Sequence, residues 1–118
     1  MSRLRILFVC GRNQWRSPTA EKIYRTDPRV QVRSAGLSPK SSHRISAEDL
    51  SWADLVIVME RRHKSRILHA FPDLPHPPHI VSLDIPDDYH FMDEELIQLI
   101  HDGVEFHLGR APSKGDAL

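Results

Sequence analysis

Apolar and polar positions along the chain switch between a strand period and a helix period several times. Leu4 to Val9 is apolar apart from Arg5, the pattern of a central parallel strand covered on both faces. Ser17 to Arg25 then places Ala20, Ile23 and Tyr24 on one helical face. Ser17 suits an N-cap, Pro18 the first turn and Glu21 the positive end of the helix dipole, and Asp27-Pro28 stops the helix. Val30 to Ser34 alternates as a second strand, with a turn at Ala35-Gly36 and a polar loop from Leu37 to Arg44. Ser46 opens a short helix through Trp52, with Ser46 and Asp49 spaced as an acidic capping box. Leu55 to Val58 is the third strand and the most apolar run. Glu60 to Ala70 is a basic helix with Ile67 and Leu68 expected inward. Pro72, Pro75, Pro77 and Pro78 exclude helix from the following connector. Ile80 to Leu83 is a fourth strand, and a loop with Pro86 follows from Asp84 to Tyr89. Met92 to Leu108 forms the last helix, burying Leu96, Ile97, Ile100, Val104 and Leu108, and Gly109 is expected to end it.

Strands that alternate with helices predict an α/β fold with right-handed crossovers: one three-layer domain whose four parallel strands run in the order 2-1-3-4. Residues 1–110 form that domain and residues 111–118 a frayed polar tail. A chain of 118 residues is large enough for one core, and it shows no internal repeat. The predicted order puts the end of the first strand at the switch point, where ligands bind.

The chemistry concentrates at that point. Cys10, the only cysteine, sits where the first strand runs into a helix start, and five residues separate it from Arg16, which Ser17 follows. The thiolate is the nucleophilic form of cysteine, and a helix N-terminus with a nearby cation favours it. The same N–H groups hold a phosphate or sulfate. Arg16 can make two parallel hydrogen bonds to a phosphoryl group, which a lysine cannot, and Ser17 can donate to the sulfur. A buried structural cysteine before an ordinary turn is the plain alternative.

The run Val-Cys-x-x-Asn-x-x-Arg-Ser-Pro-x-Ala-Glu, Val9 to Glu21, resembles the phosphate-binding loop of the low-molecular-weight protein tyrosine phosphatases. Arg33 to Leu37 is similar to that family's second strand and turn. Ser42 to Asp49, then Ala53 to Glu60 and His63, is similar to its third-strand region. Asp84 to Tyr89 resembles the loop that carries its general acid, and the segments come in the family's order. The resemblance implies Cys10 as nucleophile, Arg16 as phosphate clamp and Ser17 as thiolate stabiliser. Asp87 is the implied general acid, with Asp88 as a second candidate. Gly11, Arg12, Asn13, Gln14, Trp15 and Ser17 make up the phosphate-binding loop, organised by Asn13, whose residue type tolerates left-handed backbone. Tyr89 is expected as an aromatic wall of the substrate pocket, and Trp15 either as a second wall or packed on the adjacent helix. His43 and His63 match structural positions. The chain is short around Leu37 to Ser42, where the family has a helix. Trp15 replaces a frequent second cysteine, Arg12 a usual glycine and Asp88 a proline.

What the resemblance implies is two-step hydrolysis of a phosphomonoester without metal or other cofactor. The substrate is a phosphorylated protein, phosphotyrosine first, or a small phosphoester, with phosphoarginine also open. An arsenate reductase-like enzyme on the same fold and a phosphate-binding module without turnover are the alternatives. The formal net charge is zero, which gives no reason to expect nucleic acid or an anionic membrane as partner. A single cysteine excludes an intramolecular disulfide and a thiol relay within the chain. No leader pattern and no run of membrane-spanning length is present, so a reducing, cytoplasmic setting is expected. The eight histidines show no regular metal-ligand spacing, and the basic run Arg61 to Arg66 reads as a solvated helix face.

Overall fold

The computed structural model describes residues 3–76 and 78–110. The tail expected at 111–118 lies outside the described residues. Strand β1 (Leu4–Cys10) leads through a loop to helix α1 (Arg16–Tyr24) and strand β2 (Val30–Gly36). Helix α2 (Ala47–Trp52), strand β3 (Leu55–Val58), helix α3 (Arg61–Ala70), strand β4 (His79–Ser82) and helix α4 (Glu94–Arg110) follow. The four strands form one sheet in the order β2-β1-β3-β4, and every neighbouring pair is parallel, as the alternating pattern predicts.

The two-residue strand period divides the core. Ile6, Phe8 and Cys10 of β1 face α1 and α4, packing with Ala20, Tyr24, Leu96, Ile100 and Val104. Leu7 and Val9 face the other way, onto a cluster with Leu50 and Ile67 from α2 and α3. All of β1 from Ile6 to Cys10 is buried, which is why its sequence is a continuous apolar run rather than an alternating one. The capping box of α2 is present, with Ser46 Oγ accepting from Asp49 N and Asp49 Oδ2 accepting from Ser46 N.

Four local expectations are corrected. Helix α1 starts at Arg16, so Ser17 lies inside its first turn rather than at the N-cap, and its hydroxyl is free for other partners. Strand β2 does not turn at Ala35-Gly36 but runs through both, because Gly36 pairs with Cys10. That glycine marks a close approach: a Cβ there would lie 2.7 Å from Asn13 N and 2.1 Å from Ser41 Oγ. Leu68 is 43% exposed, since only Ile67 and the residue one turn before it, His63, face inward. Gly109 does not end α4, which continues to Arg110, for a glycine weakens a helix without breaking it.

Because all strands are parallel, the residues after β1, β3 and β4 emerge at one edge of the sheet. That edge collects the Cys10 loop, Glu60 with the start of α3, and the Asp84–Tyr89 loop.

Candidate active site

The loop from Cys10 to Arg16 is shaped by one left-handed residue and two braces. Asn13 has φ 52° and is buried; its Nδ2 donates to Ser17 Oγ at 3.0 Å, and its Oδ1 accepts from His43 N at 3.2 Å. Arg12 is not in the left-handed region, so the arginine replacing the usual glycine causes no backbone strain. The short segment after β2 provides the braces, with Leu37 N donating to Cys10 O at 3.1 Å and Ser38 N to Gly11 O at 2.7 Å. No peptide bond among the described residues is cis. In a trans peptide the N–H points opposite to the preceding C=O. The N–H groups of Gly11 and Arg12 therefore point away from that segment. Trp15 O accepts from Thr19 N at 3.1 Å and no side chain caps α1, which leaves its first N–H groups open. Cys10 Sγ lies 3.0 Å from Ser17 Oγ.

Arg16 is 3% exposed and ties three segments together. Its Nη1 donates to Glu60 Oε2 at 2.7 Å and to the Ile85 carbonyl at 2.7 Å. Its Nε is buried without a hydrogen-bond partner, 3.6 Å from Asp87 Oδ1. The Nε–Nη2 edge, the fork that matches a phosphoryl group, is thereby left for an anion. Burial opposes ionisation of Glu60, but hydrogen bonds from Arg16 and Arg62 outweigh it and hold the carboxyl below its usual range. The Asp84–Tyr89 loop is fastened at both ends: Ile85 N donates to Met59 O at 2.8 Å, and Met92 N to Thr19 Oγ1 at 2.9 Å.

A cleft of about 280 Å³ opens above the sulfur, lined by Cys10, Gly11, Arg12, Gln14, Trp15, Arg16, Ser38, Arg62, Arg66 and Asp87. Of the two carboxylates left open as the acid, Asp87 lines this cleft, with its side chain 55% exposed, and Asp88 does not. Asp84 instead bonds Ser82 at 2.8 Å and pairs with Arg61 at 3.3 Å, closing the end of β4. Tyr89, expected as an aromatic wall, does not line the cleft. Its ring packs against the core cluster and its hydroxyl donates to Glu95. Trp15 does line it, with the His90 ring edge-on at 4.9 Å between centroids.

The sequence presents Arg62 and Arg66 as a solvated face and Glu60 only as a strand-end match, yet all three belong to the site. Their signal is topological: α3 follows β3, so its first turns start at the sheet edge where Cys10 lies, and residues four apart share one helix face.

No family model matches the chain. It is 32% identical over 93 residues to a protein-arginine-phosphatase from Geobacillus stearothermophilus, a match that takes in 58% of this chain and 63% of that protein's length. The YwlE arginine phosphatase from Geobacillus stearothermophilus superposes with a TM-score of 0.67 at 27% identity, over 91% of this chain and 94% of the other. The chain thus resembles phosphatases of the low-molecular-weight protein tyrosine phosphatase type in sequence and fold, and spans less than two thirds of the curated relative it matches. Two further structures share the fold. The low molecular weight protein tyrosine phosphatase from Streptococcus pyogenes aligns at TM-score 0.75 and 22% identity, over 95% of each chain. The tyrosine phosphatase Wzb from Escherichia coli K30, in complex with phosphate, aligns at TM-score 0.73 and 20% identity, over 94% of this chain and 100% of the other.

Within this fold, His63 sets a pH limit on stability. It is wholly buried beneath the site, with Nδ1 accepting from Glu60 N at 3.1 Å and Nε2 lacking a hydrogen-bond partner. Burial, seconded by the Arg16 charge, pushes its pKa down from 6.5 to about 4. Between those values the unfolded chain binds a proton that the folded chain does not. Stability is therefore complete above pH 6.5 and falls as the pH drops toward 4, by up to about 3 kcal/mol. Glu60, Glu105 and the aspartates held low begin to contribute only at the acid end of that window, near the ordinary carboxylate range, and mostly below it. Urea unfolding at pH 7 and pH 4.5 should show the loss, and His63→Gln should flatten it; equal stabilities at the two pH values would contradict a buried neutral imidazole.

Proposed function

We propose that residues 1–110 form a phosphatase domain that hydrolyses phosphomonoesters, phosphotyrosine first, through a cysteinyl-phosphate on Cys10. The observation that carries the reading is the convergence of a thiol, a guanidinium fork and an exposed carboxyl on one cleft from separate ends of the chain. In the first step the Cys10 thiolate attacks phosphorus, the P–O ester bond breaks, and the leaving oxygen takes the proton of the Asp87 carboxyl. In the second step water attacks phosphorus, the P–S bond breaks, and Asp87 accepts the water's proton. Arg16 and the loop N–H groups hold the equatorial oxygens, where charge matters most in the transition state. Ser17 donates to the sulfur, stabilising it as nucleophile and as leaving group. The free thiol suits a reducing compartment such as the cytoplasm; among the described residues no helix is long and apolar enough to cross a membrane.

Trp15 with His90 offers a ring-shaped wall for an aryl leaving group, which favours phosphotyrosine. Phosphoarginine is the second reading, supported by the name of the Geobacillus stearothermophilus relative. Turnover of phosphotyrosyl, phosphoarginyl and phosphoseryl peptides, with rapid-quench mass spectrometry to find the phosphoryl group on Cys10, tests the proposal. No turnover of any of them, or turnover without that adduct, would overturn it. Asp87→Asn should slow phosphotyrosyl hydrolysis about 10²- to 10³-fold, and Asp88→Asn should leave the rate within about twofold, since it lies outside the cleft. The reverse ranking would transfer the acid role to Asp88.

A further inference from the structure

The cleft carries more positive charge than one phosphoryl group uses. Four arginines line it, Arg12, Arg16, Arg62 and Arg66, against a single carboxylate, Asp87. Arg16 is already met by Glu60 and Asp87, and Arg62 leans on the same Glu60 at 3.2 Å. Arg12 and Arg66 form no ion pair within 4 Å among the described residues, and both are exposed. A phosphomonoester held by the Arg16 fork and the loop N–H groups leaves those two charges, and part of a third, unmatched at the mouth of the cleft.

We propose that Arg12 and Arg66, with Arg62 beside them, form a second anion subsite that selects phosphotyrosyl peptides carrying an acidic side chain next to the phosphorylated residue. This rests on the phosphatase reading for the place of the phosphoryl group, and it deepens that reading by naming the substrate class. A carboxylate flanking the phosphotyrosine meets uncompensated guanidinium groups there, whereas a lysine or arginine meets repulsion. The charges stand on separate elements, Arg12 on the loop after β1 and Arg62 and Arg66 one turn apart on α3, so the subsite spans the mouth rather than one side of it.

The test measures dissociation constants by calorimetry for the Cys10→Ser variant, with phosphotyrosyl peptides flanked by aspartates, by alanines or by lysines. The aspartate peptide should bind roughly three- to tenfold more tightly than the alanine peptide, the size expected of two exposed ion pairs, and the lysine peptide more weakly than either. Higher salt should narrow the spread, because the groups are exposed. Arg12→Ala with Arg66→Ala in the same background should bring the aspartate-to-alanine ratio close to one. Equal affinities for the three peptides, a preference that survives the double replacement, or no binding of any peptide would each overturn the subsite. Turnover of p-nitrophenyl phosphate by the wild type, which has no second anionic group, separates the two readings. Turnover without peptide preference removes the subsite alone. Peptide preference without turnover removes the phosphatase reading alone.

Discussion

Cys10→Ser lowers turnover of p-nitrophenyl phosphate by about 10⁴-fold or more, while inorganic phosphate still binds the cleft. A serine hydroxyl in the same place keeps the volume and a hydrogen bond to Ser17, 3.0 Å from the sulfur it replaces. It does not ionise readily, and the side chain hydrogen-bonded at that position is Ser17, a hydroxyl and not a base. The proposed anion cradle, in contrast, rests on Arg16 and backbone N–H groups and not on the sulfur. Steady-state kinetics and calorimetric titration of phosphate check both halves. A variant within about tenfold of the wild-type rate would place the nucleophile elsewhere; a wild type no faster than the variant, with both binding phosphate, would leave a binding module.

Arg16→Lys is expected to cost nearly as much, about 10³-fold or more in kcat/KM, although the charge is retained. Lysine offers a point charge where the fork would form two parallel bonds to a phosphoryl group. The substitution also reaches beyond the anion. Arg16 Nη1 serves Glu60 and the Ile85 carbonyl at once, so the loop that carries Asp87 loses one of its two anchors on α1, the other being Met92 N on Thr19 Oγ1. A buried acceptor left unpaired costs about 1–3 kcal/mol, and the urea midpoint should fall accordingly. The pairing of the two losses is the informative result. A variant that loses activity with unchanged stability would mean that the introduced lysine still holds Ile85, and that the anion contact alone carries the effect.

Much of the architecture was legible because its determinants are local. The buried strand β1 is written as an apolar run, the cap of α2 as Ser46 and Asp49, and the positive-φ corner of the loop as Asn13. Errors arose where a local signal had two readings. Ala35-Gly36 looked like a turn, but Gly36 is small because the Cys10 loop crosses close to it, which no neighbour in sequence reveals. Ser17 had the chemistry of a helix cap, yet the helix starts two residues earlier, and within it the Ser17 hydroxyl meets the cysteine. Tyr89 sits close to Asp87 and Asp88 in sequence, but its ring packs against the core cluster and Glu95 takes its hydroxyl.

By itself the sequence determined the layer order of the fold and the thiol, the fork and the hydroxyl of the Cys10 loop, because strand periodicity and a short loop act within a few residues of themselves. Only the tertiary structure decided what surrounds that loop. Glu60 lies 44 residues from the arginine it holds and Ile85 lies 69 residues away. Such distant partners are brought together by the parallel sheet, whose strands all end at one edge, and not by any pattern in the chain. The same geometry turns Arg62 and Arg66 from a polar helix face into the rim of the cleft. The proposed second anion subsite lies on that rim.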